Sequence, residues 1–283
     1  MTSRYLSASY EKSKIPADLK RLFTSENKYQ QFGEGLMDKD NLKIMSLILA
    51  RGGSTGVPGK NIKPLCGKPL LAHTIEISQQ SKFINRTVVA TDSEAIADVA
   101  REYGADVPFM RPDDMSQKLS RAYDVYKYFL NGLQEKEDYR PDIVTLLFST
   151  SYSKVVEDVD AAIEKLITTK CDWVFTVSPC EHHPHYFFRP ISEDKMQHYI
   201  PFVDSYNLWG NRQELPPVYR IDGNAFVTWS ENIENYTTYN VDMINHADKD
   251  IRYILCDEEN AQDINTPLEF EFAEYLMSKR LNK

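Results

Sequence analysis

From Lys43 onward the chain alternates short apolar runs with longer amphipathic stretches. The runs "IMSLILA" (44–50), "RTVVATD" (86–92), "DIVTLLFST" (142–150), "DWVFTVSP" (172–179) and "DIRYILCD" (250–257) are rich in β-branched or aliphatic residues and have strand length. Between them lie helical patterns. "GKPLLAHTIEISQQS" has Pro69 near its first turn. "SEAIADVAREYGA" sets Ile96, Val99, Ala100 and Tyr103 on one face and stops at Gly104. "VEDVDAAIEKLITT" has acids in its first turn, where the helix dipole favours them. A last helix begins at about Pro267, with Thr266 at the N-cap and Glu269 three positions on as a capping box. Strand–helix alternation of this kind predicts an α/β fold, a mostly parallel sheet with helices on both faces. The rhythm breaks over 180–217, rich in aromatics, His and Pro, and "VYRIDGNAFVTW" reads as two extended runs around an Asp-Gly turn. This region predicts a small antiparallel excursion, taken as 180–225. Residues 1–42 are polar and aperiodic, apart from a short amphipathic pattern in "PADLKRLFTS". They predict an N-terminal extension to a domain spanning 43–283.

Composition narrows the class. A chain of 283 residues suffices for one large α/β domain with an appendage. The net charge is -9 with no basic tract, which speaks against nucleic acid as a partner. No apolar run reaches the roughly 20 residues needed to cross a bilayer, and the first residues lack the apolar core of a secretory signal, so a cytoplasmic protein with no membrane partner is expected. The cysteines at 66, 171, 180 and 256 form no C-x-x-C pair, which speaks against a zinc or disulfide framework.

The chemistry gathers at "ILARGGSTGVPGKNI", residues 48–62. A strand runs into a loop with four glycines, Arg51 at its start and Lys60 near its end. A Walker loop needs Gly where Ser54 stands and Ser or Thr where Asn61 stands. Gly52, Gly53 and Gly56 do not give the G-x-G-x-x-G dinucleotide spacing. What remains is a glycine-rich turn whose freed amides form an anion nest between two cations, long enough for a triphosphate. Loops at the C-terminal ends of parallel strands are where such folds bind ligands.

The segment "LARGGSTGVPGKNIKPLCGKPLLAHTIE" closely resembles the cytidylyltransferases that activate sialic acids and other nonulosonic acids, whose spelling is near L-A-R-x-G-S-K-G-x-x-x-K-N. "VVATDSEAIADVAREYGADVPFMRP", "NRQELPPVYRIDG" and "DINTPLEFEFAEYLM" extend the likeness in order, from about Ile44 to the C-terminus. The resemblance implies a Rossmann-like nucleotidyltransferase whose excursion makes a homodimer with shared active sites. It would transfer CMP from CTP to the anomeric hydroxyl of an acidic 2-keto sugar and release pyrophosphate, mostly by positioning and by neutralising charge with cations and Mg²⁺. On that pattern Arg51 and Lys60 hold the triphosphate and carry catalysis. Gly52, Gly53, Ser54, Thr55, Asn61 and Arg111 complete the nucleotide site, and Arg212 meets the sugar carboxylate from the dimer partner. Phe148, Thr150 and Ser151 fall in the acceptor segment. Tyr219 either lines the acceptor pocket or packs within the excursion. Asp263 and Asn265 fall where the family holds Mg²⁺.

The chain departs from that pattern in several places. Thr55 stands for a Lys, Phe148 for a Gln, Lys154 for an Arg, Ala122 for a Ser, and Asn265 for the second metal-binding Asp. Two further readings therefore stand beside the first: a CTP-dependent transferase for another acidic sugar or a phosphonate, and a non-catalytic nucleotide-binding protein. Asp92 is open to metal ligation or helix capping. In "EHHPHYFF" the histidines at 182, 183 and 185 favour a structural or dimer-contact role, since adjacent residues of an extended strand point apart.

Overall fold

The computed structural model describes residues 41–54, 56–117, 120–198, 215, 217–234 and 249–281. Six strands form the main sheet: β1 (Ile44–Leu49), β4 (Arg86–Ala90), β5 (Ile143–Phe148), β6 (Trp173–Pro179), β9 (Tyr219–Trp229) and β10 (Ile251–Leu255), in the spatial order β10-β6-β9-β5-β1-β4. β1 pairs in parallel with β4 and β5, and β10 in parallel with β6. Two pairs of short strands stand apart: β2 (Pro64–Leu65) with β3 (Lys68–Pro69), and β7 (Phe188–Pro190) with β8 (Met196–His198), both antiparallel.

Period-two alternation along the strands sends side chains into two cores. Ile44 and Ile48 of β1, with Ile143 and Leu147 of β5, face helices α1 (Leu70–Gln80), α2 (Glu94–Glu102) and α4 (Val156–Thr169). Met45 and Leu47, with Val144 and Leu146, face α3 (Ala122–Glu137) and the short α5 (Ser230–Glu234). Both faces of the central strands are covered, so β1 and β5 are buried nearly throughout, whereas the edge strand β10 is largely exposed. Gly104, at φ 79°, follows α2 in the left-handed conformation that glycine adopts at no steric cost.

Two expectations change. Residues 219–229 are one strand, not two runs around a turn. β9 lies inside the main sheet, antiparallel to both β5 and β6. Gly223, at φ 78°, sits where the β6–β9 register shifts, so Asp-Gly marks a bulge instead of a reversal. Helix α3 has no counterpart in the sequence-based reading, and its Val125, Tyr126, Phe129 and Leu133 fill the second core.

A third, smaller core ties the C-terminal helix α6 (Pro267–Leu281) to the opening loop. Phe270 and Ala273 pack with Val57, Leu65, Leu70 and Ile264. The capping box forms as predicted: the Glu269 amide donates to Thr266 Oγ1 at 3.2 Å, and the Thr266 amide donates to the Glu269 carboxylate at 2.8 Å. The Asn265 amide reaches the same carboxylate oxygen at 2.6 Å, so the segment ahead of α6 is fixed as well.

Candidate active site

A cavity of about 300 Å³ opens at the C-terminal ends of β1 and β5. Its cationic wall comes from Arg51, Lys60 and Arg111, and Ser54 and Asn61 of the opening loop also line it. Leu49, Ala122 and Phe148 supply apolar surface, and Ser149 and Thr150 continue the wall from β5. Gln117 and Ser120 enter from the segment before α3.

The opening loop is held at several points. The Gly52 amide donates to Asp92 Oδ1 at 2.7 Å. Asp92 is thus an anchor for the loop and does not cap α2, whose N-cap position is Ser93. Asn61 is buried. Its Nδ2 donates to the Arg51 carbonyl at 2.9 Å, and its Oδ1 accepts from Ser149 Oγ at 2.6 Å. Both ends of that amide are engaged by protein, so Asn61 ties the opening loop to the β5 loop instead of offering a free amide to a ligand. Gly56 has a steric reason to be glycine, because a Cβ there would lie 2.1 Å from the Asn265 carbonyl oxygen. The glycine-rich loop and the 263–265 segment meet at this point. Gly53 is open, with nothing within 4 Å of where its Cβ would be.

The cations differ in how they are held. The Arg51 guanidinium has no hydrogen-bond partner among the described residues and borders the cavity. Arg111 is buried, and its Nε donates to the Met115 carbonyl at 2.6 Å. Burial disfavours its charged form, Asp92 offsets that, and Arg51 adds repulsion. Lys60 is buried too and donates to the Ile264 carbonyl. Its pKa falls below the usual lysine value, first through burial. Asp263 and Glu269 pull it back up, and Arg51 pushes it down again. Three cations around one cavity, with Arg51 repelling both of the others, are stabilised by an anionic occupant, and a polyphosphate is such an occupant.

Asp263 and Asn265 converge although their segment is not a strand. Asn265 Nδ2 lies 3.2 Å from Asp263 Oδ2, while Asp263 Oδ1 is buried and has no partner. A buried carboxylate oxygen left without a donor is what a hard cation would satisfy, and an amide oxygen two residues on fits the same all-oxygen donor set. Among the described residues no group of three or more His, Cys, Asp or Glu side chains is placed to hold a metal. Any cation here would draw its other ligands from water and substrate, the usual arrangement for Mg²⁺.

Other sequence-predicted residues lie elsewhere. Ser151 is buried behind the cavity, with its hydroxyl 3.4 Å from the Asp222 carbonyl. Tyr219 packs at a tilt against Tyr253 of β10, with centroids 5.5 Å apart, and does not line the cavity. Thr55 and Arg212 lie outside the described residues. His182 is exposed and His183 buried, while the side chain of His185 is also outside the described set. The sequence-based reading missed Gln117 and Ser120, which sit just ahead of the overlooked α3. It also missed Ser149 as the partner of Asn61, because a contact between residues 88 apart leaves no local signal.

An α/β sheet with a cationic, glycine-rich loop at its strand ends defines a nucleotide-binding fold. A family model described as cytidylyltransferase matches residues 45–277, and the chain belongs to that family. It is 32% identical over 238 residues to the CMP-N,N'-diacetyllegionaminic acid synthase of Legionella pneumophila, covering 83% of this chain and 97% of that protein. It is 30% identical over 192 residues to an N-acylneuraminate cytidylyltransferase of Streptococcus agalactiae, covering 67% of this chain and 44% of that protein. Among solved structures, a CMP:2-keto-3-deoxy-manno-octonic acid synthetase complexed with CTP matches with a TM-score of 0.64 at 17% identity, over 84% of this chain and 99% of that one. At that identity the likeness speaks for the fold. No helix among the described residues is long and apolar enough to cross a membrane.

Proposed function

We propose that this cytidylyltransferase transfers CMP from CTP to the anomeric hydroxyl of a nonulosonic, sialic-acid-like or related 2-keto-3-deoxy sugar acid. The observation that carries the reading is the cavity where Arg51, Lys60 and Arg111 converge on the loop after β1, in a chain similar over most of its length to a CMP-sugar-acid synthase. The acceptor oxygen bonds to the α-phosphorus as the bond to the α–β bridging oxygen breaks. Pyrophosphate leaves with that electron pair, and the hydroxyl proton is lost to the medium. Charge grows on the departing bridging oxygen, where fixed cations stabilise it without reorganising.

Within this reading Arg51 and Lys60 take the triphosphate and Arg111 the nucleotide, with amides of Gly52, Gly53 and Ser54 around the phosphates. Asn61 acts by positioning the loop. Phe148 and Thr150 meet the acceptor. Asp263 and Asn265 would hold Mg²⁺, which when bound supplies further neutralisation of phosphate charge; the partnerless Oδ1 of Asp263 supports that assignment. We read the protein as a homodimer, supported by the exposed Tyr186, Phe187, Phe188 and Ile191 around the β7–β8 hairpin. In such a dimer Arg212 would reach the acceptor carboxylate of the partner's site. Four free thiols and a CTP substrate support a cytoplasmic setting.

The test is pyrophosphate release from CTP and Mg²⁺ across a panel of nonulosonic and 2-keto-3-deoxy sugar acids. Turnover with at least one acid, giving a CMP-sugar by mass, is the expected result. Silence across the panel overturns the reading.

A further inference from the structure

The cavity has two unlike flanks on either side of the opening loop. Across the sheet, β4 lies on one side of β1 and β5 on the other, with β9 beyond β5. By the β4 end stands Arg111, whose amide donates to the Thr91 carbonyl at 2.8 Å, and the segment that follows it brings Gln117 and Ser120, with Ala122, to the wall. On the β5 side stands Phe148, half-buried, at the end of its strand and opposite Leu49 in the β1–β5 register; of its neighbours in the wall, Ser149 spends its hydroxyl on Asn61, and Thr150 follows.

Phe148 is buttressed from behind. Its ring meets Phe226 of β9 edge-on at 5.2 Å, Phe226 meets Phe175 of β6 at 5.0 Å, and Phe175 stacks on Trp173 at 5.6 Å. A ring packed edge-on against Phe226, at the head of a relay that runs on through Phe175 to Trp173, keeps a fixed face and presents no donor or acceptor. A pyrimidine is told from its rivals by hydrogen bonds to its edge, and the β4 flank can make them. The aromatic flank is left for the acceptor.

We propose that Phe148 is a specificity-determining residue, selecting sugar acids that turn an apolar substituent, such as a deoxy methyl or an acyl methyl, toward the β5 flank over acids that turn a hydroxyl there. A hydroxyl against this ring gives up water and gains no partner, whereas a methyl loses nothing and gains contact. This inference rests on the cytidylyltransferase reading above and adds the class of acceptor to it.

The experiment measures pyrophosphate release by the full chain with pairs of acids that differ only in a methyl against a hydroxymethyl, and with N-acyl against free hydroxyl pairs. The wild type should favour the apolar member by about tenfold to a hundredfold in kcat/KM, the range a small apolar group commands in a hydrophobic pocket. In Phe148→Gln that preference should fall to within about threefold, with KM for CTP unchanged. Phe148→Leu, which keeps an apolar wall, should retain most of the preference and guards against a folding defect in the first variant. Equal rates within every pair in the wild type overturn the proposal. So does a rise in KM for CTP with an intact acceptor preference, which would place the nucleobase on Phe148. If no acid is turned over although CTP binds, the parent reading fails and this one with it, an outcome distinct from turnover without preference.

Discussion

At the residue scale, single atoms decide how the site is built. Gly56 lets the opening loop touch the Asn265 carbonyl, and a methyl group would have to displace one of the two segments. Gly56→Ala should lower kcat/KM by about a hundredfold, because a displacement near 1 Å of positioned groups costs that much; steady-state kinetics beside a thermal melt separates this from unfolding. Asn265 permits a test with two signs. Asn265→Asp adds a second carboxylate beside Asp263. The Mg²⁺ concentration for half-maximal activity should fall by about tenfold, while the metal-free protein should melt at a lower temperature from like-charge repulsion. A Mg²⁺ requirement that stays the same or rises in Asn265→Asp would count against metal binding here. Lys154 is the other telling residue. It is buried and donates to the Thr74 hydroxyl and to the carbonyls of Phe148 and Ser151, bracing the loop that carries the acceptor wall. Burial, opposed by Asp263 and Asp222, brings its pKa from 10.5 down to about 7. Between those values the unfolded chain holds the proton and the folded chain does not, so stability rises with pH through that window. Below it the lysine is charged in both states and the folded state bears the full burial penalty. Unfolding free energies of wild type and Lys154→Met, compared at about pH 6, 8 and 10, should move in favour of the wild type as pH rises; a constant gap would show that the lysine titrates normally.

At the element scale, the sequence was most readable where one element has one environment. α4 is found at the bounds its pattern implies, with Val159, Ala162, Ile163 and Leu166 on its buried face. The capping box of α6 is local chemistry, and each of its bonds is in place. Thr266→Ala should therefore cost about 1 kcal/mol in urea unfolding and raise the Mg²⁺ requirement, since the same cap fixes the 263–265 segment. β9 was misread because Asp-Gly in a hairpin and Asp-Gly at a bulge are the same two letters. What separates them is the side-chain hydrogen bond from Thr176 Oγ1 of β6 to Asp222 Oδ1 at 2.6 Å, supplied by a strand 46 residues away. Asn61 illustrates the same limit. Its place in the motif was legible, but its use as a clamp depends on Ser149, and only the folded sheet brings the β5 loop against it. Phe148 was visible as a departure from the family spelling, yet the aromatic backing that gives the departure meaning spans β5, β9 and β6.

At the scale of the whole molecule, the remaining question is what covers the aromatic surface beside the sheet. The β7–β8 hairpin stands outside the six-stranded sheet, and Phe187, Phe188, Ile191 and Met196 are each more than 45% exposed. Tyr219 of β9 packs at a tilt against Tyr253 of β10, and both are exposed. An apolar surface of this kind is costly in water and marks an interface in soluble proteins. If two copies meet there, the sedimenting mass should be twice the chain's 32.7 kDa. Replacing Phe187 and Ile191 with Asp should return it to a single chain, because buried carboxylates facing one another cannot both stay charged. The kinetic signature distinguishes an interface that completes the site from one that only joins two complete sites. In the first case the monomeric variant should show a KM for the sugar acid raised by about tenfold or more with KM for CTP unchanged, because a clamp on the acceptor carboxylate is lost while the triphosphate loop is untouched. In the second case both constants stay where they were, and Arg212 then has no part in catalysis across the interface.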